Sequence, residues 1–560
     1  MGSSVLTSNT EAIRYASSTI STTSPSTIEE IKQTILQMEL DMAEALQLFH
    51  DERSSLLQKL NTMQASTKFL FPDVLSHIFL LVCDRESYQG QKMAHRLAGV
   101  CRYWQSVALS TPLLWSSLIL FFGKRVVDVT RQCYARANLL RLHLDRVIDT
   151  PLSLTFLFDT SSPHLSRETF DLFASLLSQK DNTHKVQTLR LVRAPFEWVA
   201  SFPALPQLGY LGIYDEETGY NNSANSTPLH QVRQLPGSTL PLLKSSRLYR
   251  FEVRGLHGFQ PFPEQGHHLT WLTHVSVSCI SINVSMSLLL HCPNLISFES
   301  SDPRVSKTDI LHPNLQTTSM TNDRIILRQL QHFGWAHAEA TERIRNFYRR
   351  LRFPDLRTFY WWSNHPVLDN DALSQLLPNL PSKSLYLIKI HSASQWDLNL
   401  VRSICNALPA IQILNLYGCD YTTMLHFLTI LSPLEQGALG GLGESSSRRR
   451  SSGGRSIGGH EVYLPRLKRM SMDGIESYVA GEDQLVERIV ETLRSRCHDV
   501  ATAFSLELSK RDSHGASGPE SQWSGHIQSA YQLMRDEGID FKVWMDSKKT
   551  RLLGRTPSGR

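Results

Sequence analysis

Apolar residues recur along this chain with two spacings, and the spacing changes near residue 117. From Ile28 the pattern is helical. Ile28, Ile31, Ile35, Met38, Met42, Ala45, Phe49, Glu52, Leu56, Lys59 and Met63 alternate by three and four, a heptad seam with two charged members. Thr27 and Glu30 make a capping box, so a long helix is predicted over 28–66. It suits a coiled coil, with a second copy or another chain, or a helix folded back on its own protein. A second helix opens at Pro72, with Asp73 at its positive end and Leu75, Ile78, Phe79 and Val82 on its apolar face. A third helical stretch runs from Leu97 to Ala108, with Leu97, Ala98, Cys101, Trp104 and Ala108 on one side. Thr111-Pro112 then starts a short turn carrying Leu114 and Trp115. About fifty residues cannot comfortably bury two such faces alone, so another surface is expected to cover them.

Beyond Ser117 the period shortens. Ser117–Phe121 reads as a strand, a helix follows to about Arg146, and Pro151–Phe156 alternates as a strand. The motif apolar-x-x-apolar-x-apolar then recurs at Val186/Leu189/Leu191, Leu208/Leu211/Ile213, Leu248/Phe251/Val253 and Leu272/Val275/Val277. It returns at Leu356/Phe359/Trp361, Leu385/Ile388/Ile390, Ile411/Leu414/Leu416 and Leu467/Met470/Met472. Proline precedes several of these strands, as in Leu205-Pro206, Phe353-Pro354, Leu408-Pro409 and Leu464-Pro465. Helix-like segments such as Met286–Leu295 fill intervals. One β–α unit cannot bury its own apolar edge, so stacked neighbours in a parallel sheet are predicted, with the strands from Leu385 and Ile411 side by side. Insertions around 214–247, 301–352 and 417–462 must loop out. A non-repeat α/β domain is the other reading. Outward positions include Arg190, Tyr210, Gly212, Tyr249, Arg250, Glu252, Tyr360, Lys389 and Asn415. Trp362, beside the core position Trp361, falls at a strand edge and suits packing or ligand contact alike.

The residues Leu70-Phe71-Pro72, Leu75, Ile78-Phe79, Val100-Cys101-Arg102, Trp104 and Thr111-Pro112-x-Leu114-Trp115 resemble an F-box. The ending resembles F-box proteins of mushroom-forming fungi. Phe71 and Val74 stand where the family commonly has leucine and an acidic residue. The resemblance implies docking to a Skp-type adaptor, and through it a cullin, by Leu70, Phe71, Pro72, Leu75, Ile78, Phe79, Val100, Cys101 and Trp104. An ordinary helical hairpin would also satisfy the periodicity. The later units resemble irregular leucine-rich repeats. The expected fold is therefore α/β: a long helix (28–66) after a disordered start (1–27), a helical F-box (67–120), then a leucine-rich-repeat-like β/α solenoid with a parallel sheet (121–508) carrying a loop at 435–459, and a weakly structured tail (509–560). The expected function is the substrate-recognition subunit of an SCF-type cullin–RING ubiquitin ligase. Its target, an unidentified protein, would meet Arg190, Tyr210, Arg250, Tyr360, Trp362, Lys389 and Asn415, residue types suited to recognition. The alternative is a repeat scaffold that recruits no ligase.

Composition narrows the chemistry. Of 560 residues, 41% are hydrophobic and 19% charged, as in a globular chain. A net charge of +5 from 57 basic and 52 acidic residues lacks the concentrated basic stripe of nucleic-acid binding. No apolar run is long enough for a transmembrane helix, and Met1–Leu6 carries neither a signal-peptide core nor a myristoylation motif. Eight scattered cysteines suit a reducing compartment, cytoplasmic or nuclear. Gly454-Arg455-Ser456-Ile457-Gly458 matches a nucleophile elbow, yet it sits in a low-complexity loop without a buried strand before it. His274, Cys279, His291 and Cys292 fit no zinc spacing. No catalytic residue, metal or cofactor is expected. Arg448-Arg449-Arg450-Ser451-Ser452 resembles a basophilic kinase substrate, or is simply part of a solvated linker.

Overall fold

The computed structural model of the chain describes residues 28–64, 70–84, 87–123, 129–159, 167–179, 182–215, 241–255, 269–301, 324–337, 342–363, 366–391, 395–432, 463–475, 482–499, 504–510, 525–545 and 550–551. The expected disordered start and the loop at 435–459, with its arginine cluster and elbow-like sequence, lie outside these residues, as does Thr27. Two compact units divide between Leu114 and Trp115.

The first unit is helical. Along α1 (Ile28–Gln64) every side chain from Ile28 to Leu60 is exposed. Three shorter helices, α2 (Pro72–Val82), α3 (Tyr88–Ala98) and α4 (Arg102–Leu109), pack on one another, followed by a 3₁₀ turn at Pro112–Leu114. Pro72 opens α2 as the pattern predicts. The stretch 97–108 is two helices rather than one. Cys101 is extended (φ −158°, ψ 168°) and its Sγ accepts the Trp104 N–H at 3.5 Å, so a fresh N-cap interrupts the apolar period. Ser76 donates to Thr111 at 2.8 Å, and Thr111 donates to the Val107 carbonyl at 2.7 Å. A Cβ at Gly90 would fall 1.8 Å from the Asp84 carbonyl oxygen, so the turn into α3 requires glycine.

The second unit is a parallel sheet backed by helices. Its strands are β1 (Ser117–Phe122), β2 (Leu152–Phe158), β3 (Val186–Val192), β4 (Tyr210–Tyr214), β5 (Arg250–Arg254), β6 (His274–Ser278) and β7 (Ser297–Ser301). There follow the two-residue β8 (Ile325–Ile326), then β9 (His332–His337), β10 (Leu351–Arg352), β11 (Thr358–Ser363), β12 (Leu387–His391) and β13 (Ile413–Tyr417). The last are β14 (Arg469–Ile475), β15 (Ser505–Lys510), β16 (Phe541–Met545) and β17 (Thr550–Arg551). Among the described residues all but β8 and β10, which pair with each other, form one fifteen-stranded sheet in chain order. Its neighbours are parallel except for β16 and β17. Between strands run α5 (Val129–Arg146), α6 (Arg167–Ser178), α7 (Phe196–Ser201), α8 (Ile282–His291), α9 (Glu342–Arg350), α10 (Pro366–Leu376), α11 (Leu398–Ala407), α12 (Tyr421–Leu431), α13 (Glu482–Asp499) and α14 (Gly525–Asp536). From α9 to α14 each helix packs on the next. This is a β/α solenoid-like arrangement.

Each predicted apolar triplet lies at or just before a strand, and all its members are buried. Successive residues of a strand face opposite ways, so one face of the sheet is apolar and helix-covered while the other is open. On the covered face Phe173 of α6 and Trp198 of α7 pack edge-on against Phe122 and Phe156, and Tyr348 of α9 packs against Trp335 and Trp361. The approach to the strands repeats too. At Leu208, Leu248, Leu272, Leu295, Leu330, Ile411 and Leu467 the N–H donates to the carbonyl three residues earlier, at 3.1–3.4 Å. Pro206, Pro293, Pro409 and Pro465 occupy the second position of such turns, where their fixed φ suits the backbone. The chain leaves β3, β5, β6 and β13 through Arg193, Gly255, Cys279 and Gly418, all at positive φ.

Further expectations change: the stretch 417–462 is not wholly an insertion, for α12 lies within it. The stretch 301–352 is not wholly an insertion, for β9 and α9 lie within it; Leu330, Phe333 and Trp335 repeat the triplet and are all buried. The segment past 508, read as a weak tail, continues the sheet: β15 extends to Lys510 and β16 pairs with it, while Ile527, Ala530 and Met534 of α14 are buried. The strands from Leu385 and Ile411 are parallel neighbours, β12 and β13.

Candidate functional site

Helix α2 carries an apolar sector too wide for the helical unit to bury whole. Leu75 and Phe79 are buried, at 1% and 0% exposure, and the Phe79 ring lies 5.1 Å from Trp104. The adjoining stripe, Phe71, Val74, Ile78 and Leu81, steps by three and four and stays exposed, Phe71 at 76% and Leu81 at 73%. Val82 and Val100 are exposed as well. The residues expected to bind an adaptor therefore divide. Phe71, Pro72, Ile78 and Val100 are surface groups, whereas Leu75 and Phe79 build the interior. Leu70, Cys101 and Trp104 are half-buried; the Leu70 carbonyl accepts from the Tyr103 hydroxyl, and Cys101 caps α4.

On the open face of the sheet, register aligns Arg190, Gly212 and Glu252 across β3, β4 and β5. A Cβ at Gly212 would meet the Tyr214 and Tyr210 hydroxyl oxygens at 2.9 and 3.0 Å, so glycine lets the two rings cross over it. Their hydroxyls hydrogen-bond at 2.5 Å, and Tyr210 donates to Glu252 Oε2 at 2.7 Å. Arg254 donates to Glu252 Oε1 at 2.7 Å, and Arg250 stands 4.0 Å from the same carboxylate. The Arg190 and Arg250 guanidiniums lie 5.4 and 5.3 Å from the Tyr210 ring, and that of Arg254 lies 5.5 Å from the Tyr214 ring. Tyr210 and Glu252 are thereby buried on an otherwise open surface. Burial by itself would raise the Glu252 carboxyl. Hydrogen bonds from Tyr210 and Tyr214, with the Arg254 charge, outweigh it and hold the group below its ordinary value. Burial pushes both phenols up, so they remain neutral donors.

A second group lies on β11–β13. Trp362, His391 and Tyr417 occupy paired positions and stack in series, at 5.3 and 4.3 Å. Burial, then the neighbouring Lys389 charge, lowers His391 to about 4. Lys389 sits 4.8 Å over the Tyr360 ring. Asn415, paired with Lys389, has an Oδ1 with no hydrogen-bond partner among the described residues. Trp362 thus does pack, on His391, yet it remains half-buried and reaches over Gly334 toward Glu299.

All seven residues expected to meet a target lie on the open face, but in two groups. Strands β6, β7 and β9 separate them, placing β5 and β11 about 19 Å apart at about 4.8 Å per strand. The reading missed Tyr214, Arg254, His391 and Tyr417. Each directly follows the last apolar member of a triplet, the position also held by Trp362, and that spacing was the available signal.

The four histidines and cysteines at 274–292 do not converge. His291 Nδ1 lies 2.8 Å from the Ser287 carbonyl oxygen, His274 Nδ1 lies 2.9 Å from the Thr273 hydroxyl, and burial pushes the Cys292 thiol up to about 12. Among the described residues no group of three His, Cys, Asp or Glu side chains is placed to hold a metal ion, and no helix is long and apolar enough to cross a membrane. No protein-family model matches the chain, and no curated protein matches its sequence.

Proposed function

We propose that the chain is a non-catalytic substrate receptor of an SCF-type cullin–RING ubiquitin ligase, in which the helical unit docks a Skp-type adaptor and the open face of the sheet holds a target protein. The observation that carries this reading is the second apolar stripe of α2, Phe71, Val74, Ile78 and Leu81, left exposed beside the face that Leu75 and Phe79 already bury. Covering such side chains is worth about 1.5–3 kcal/mol each. Val74, where the related motif carries an acid, extends the stripe. The receptor's contribution to the reaction is proximity, which raises the effective concentration of target lysines at a partner's thioester. Among the described residues the eight cysteines form no disulfide, which supports a reducing compartment, cytoplasmic or nuclear. The test is capture of a Skp-type adaptor by the full chain and by Phe71→Asp/Ile78→Asp. Capture by the parent and its loss in a variant of unchanged melting temperature supports the docking assignment. A folded parent that captures no adaptor leaves a repeat scaffold acting outside any ligase.

A further inference from the structure

We infer that the β3–β5 end of the open face receives an acidic segment of the target, with carboxylates seated on Arg190, Arg250 and Arg254. The inference rests on reading that face as the target-binding surface. Charge complementarity carries it. The three guanidiniums gather within 5.5 Å of the Tyr210 and Tyr214 rings, and Glu252 is the one acidic side chain at the open-face positions of β3, β4 and β5. Three positive charges on these strands meet one carboxylate, and the Glu299 charge on β7 acts on Arg254 as a second, so the patch stays net positive. The Arg250 and Arg254 side chains are each 53% exposed, so their remaining donors face a ligand. Glu252 is a positioning residue. Anchored by Tyr210, it holds Arg254 at 2.7 Å and steadies Arg250 at 4.0 Å, lowering the ordering cost a ligand meets. Planar guanidiniums with several N–H donors match the two oxygens of a carboxylate.

The probe is a fluorescein-labelled oligoglutamate peptide titrated into the full chain by anisotropy, beside an oligoglutamine peptide of equal length and a phosphoserine peptide of equal net charge. The glutamate peptide is expected to bind, to weaken as salt rises, and to lose about tenfold in affinity for each of Arg190→Ala and Arg250→Ala. Arg469→Ala, on the distant β14, serves as the control and leaves binding unchanged. Glu252→Gln loosens the arginines but also removes the nearest negative charge, so the two effects oppose and binding changes less than in either arginine variant. Equal binding of the glutamine peptide, insensitivity to both arginine variants, or binding of the phosphoserine peptide alone overturns the assignment. Adaptor capture, run on the same preparations, separates the two proposals. Loss of peptide binding with adaptor capture intact removes the acidic-target assignment and leaves the receptor reading in place.

Discussion

Trp362 and His391 face each other across β11 and β12 with ring centroids 5.3 Å apart and planes 24° from parallel. The stack continues from His391 to Tyr417, so an imidazole lies between two larger rings. A neutral imidazole tolerates that burial, and a charged one does not.

The stack therefore makes stability depend on pH. In the unfolded chain His391 takes up its proton near the ordinary 6.5, whereas in the folded chain it resists until about 4. Between those values the unfolded state holds more protons, so stability falls as pH drops through the window and levels off below it. His391→Phe keeps a ring in the stack and should shrink the fall. Urea midpoints at pH 7 and pH 5 measure it; equal falls in parent and variant refute the effect. His274 and His332, also lowered by burial, leave a remainder.

In the helical unit, interior and surface should separate cleanly. Phe79→Ala empties a fully buried site and should cost about 3–5 kcal/mol. Phe71→Ala should change stability by about 0.5 kcal/mol or less while weakening adaptor capture. Thermal melts beside pull-downs test the pair, and a Phe71 variant as unstable as the Phe79 one would show that the stripe is structural.

Tyr210→Phe removes the hydroxyl that donates to Glu252 Oε2, at a cost of about 1–3 kcal/mol. A carboxyl held below 4.5 in the folded state contributes stability above that pH and loses it as pH falls through the folded value. The variant should therefore lose less stability than the parent on acidification, and its Glu252 carboxyl, followed by NMR, should titrate higher. A carboxyl that titrates unchanged contradicts this.

Ending the chain after Lys510 strips β16 from β15 and bares a row of backbone donors and acceptors. Such a truncation should self-associate with rising concentration in sedimentation velocity, where the full chain does not. A truncation that stays monomeric would show that β16 does not shield the β15 edge.

Gly255 leaves β5 at φ +80°, and a Cβ there would lie 2.0 Å from the Asp215 carbonyl oxygen. Gly255→Ala should lower stability by roughly 2 kcal/mol or more, combining left-handed backbone strain with direct overlap. A melting temperature equal to the parent's would show that the turn readjusts freely.

Much of the sheet was legible because its apolar face repeats a short motif. The strands that escaped did so for physical reasons. In β7 the third triplet position is Ser300, buried because its hydroxyl donates to Ser285 at 3.1 Å; a hydrogen bond replaces the expected apolar side chain, and hydrophobicity cannot show it. In β9 the motif was intact, but it lay in an interval read as one long loop. The break between α3 and α4 depends on a thiol acting as a cap at Cys101, a role outside the usual capping residues. For the site, periodicity showed which residues leave the core but not their partners. Glu252 reads as a solvated acid until Gly212 is seen to admit two tyrosine rings above it.

The order of strands in the sheet is their order in the chain. During synthesis each of these strands meets an edge that has already emerged from the ribosome, and none must wait for a partner translated much later. The sheet can grow by accretion at one advancing edge, at the pace of translation. The helical unit, encoded ahead of the sheet, can complete its own packing while the sheet is still being made. An early stop codon within the sheet would then yield a shorter sheet ending in a sticky edge rather than a wholly unfolded chain, a product more prone to aggregate than to function.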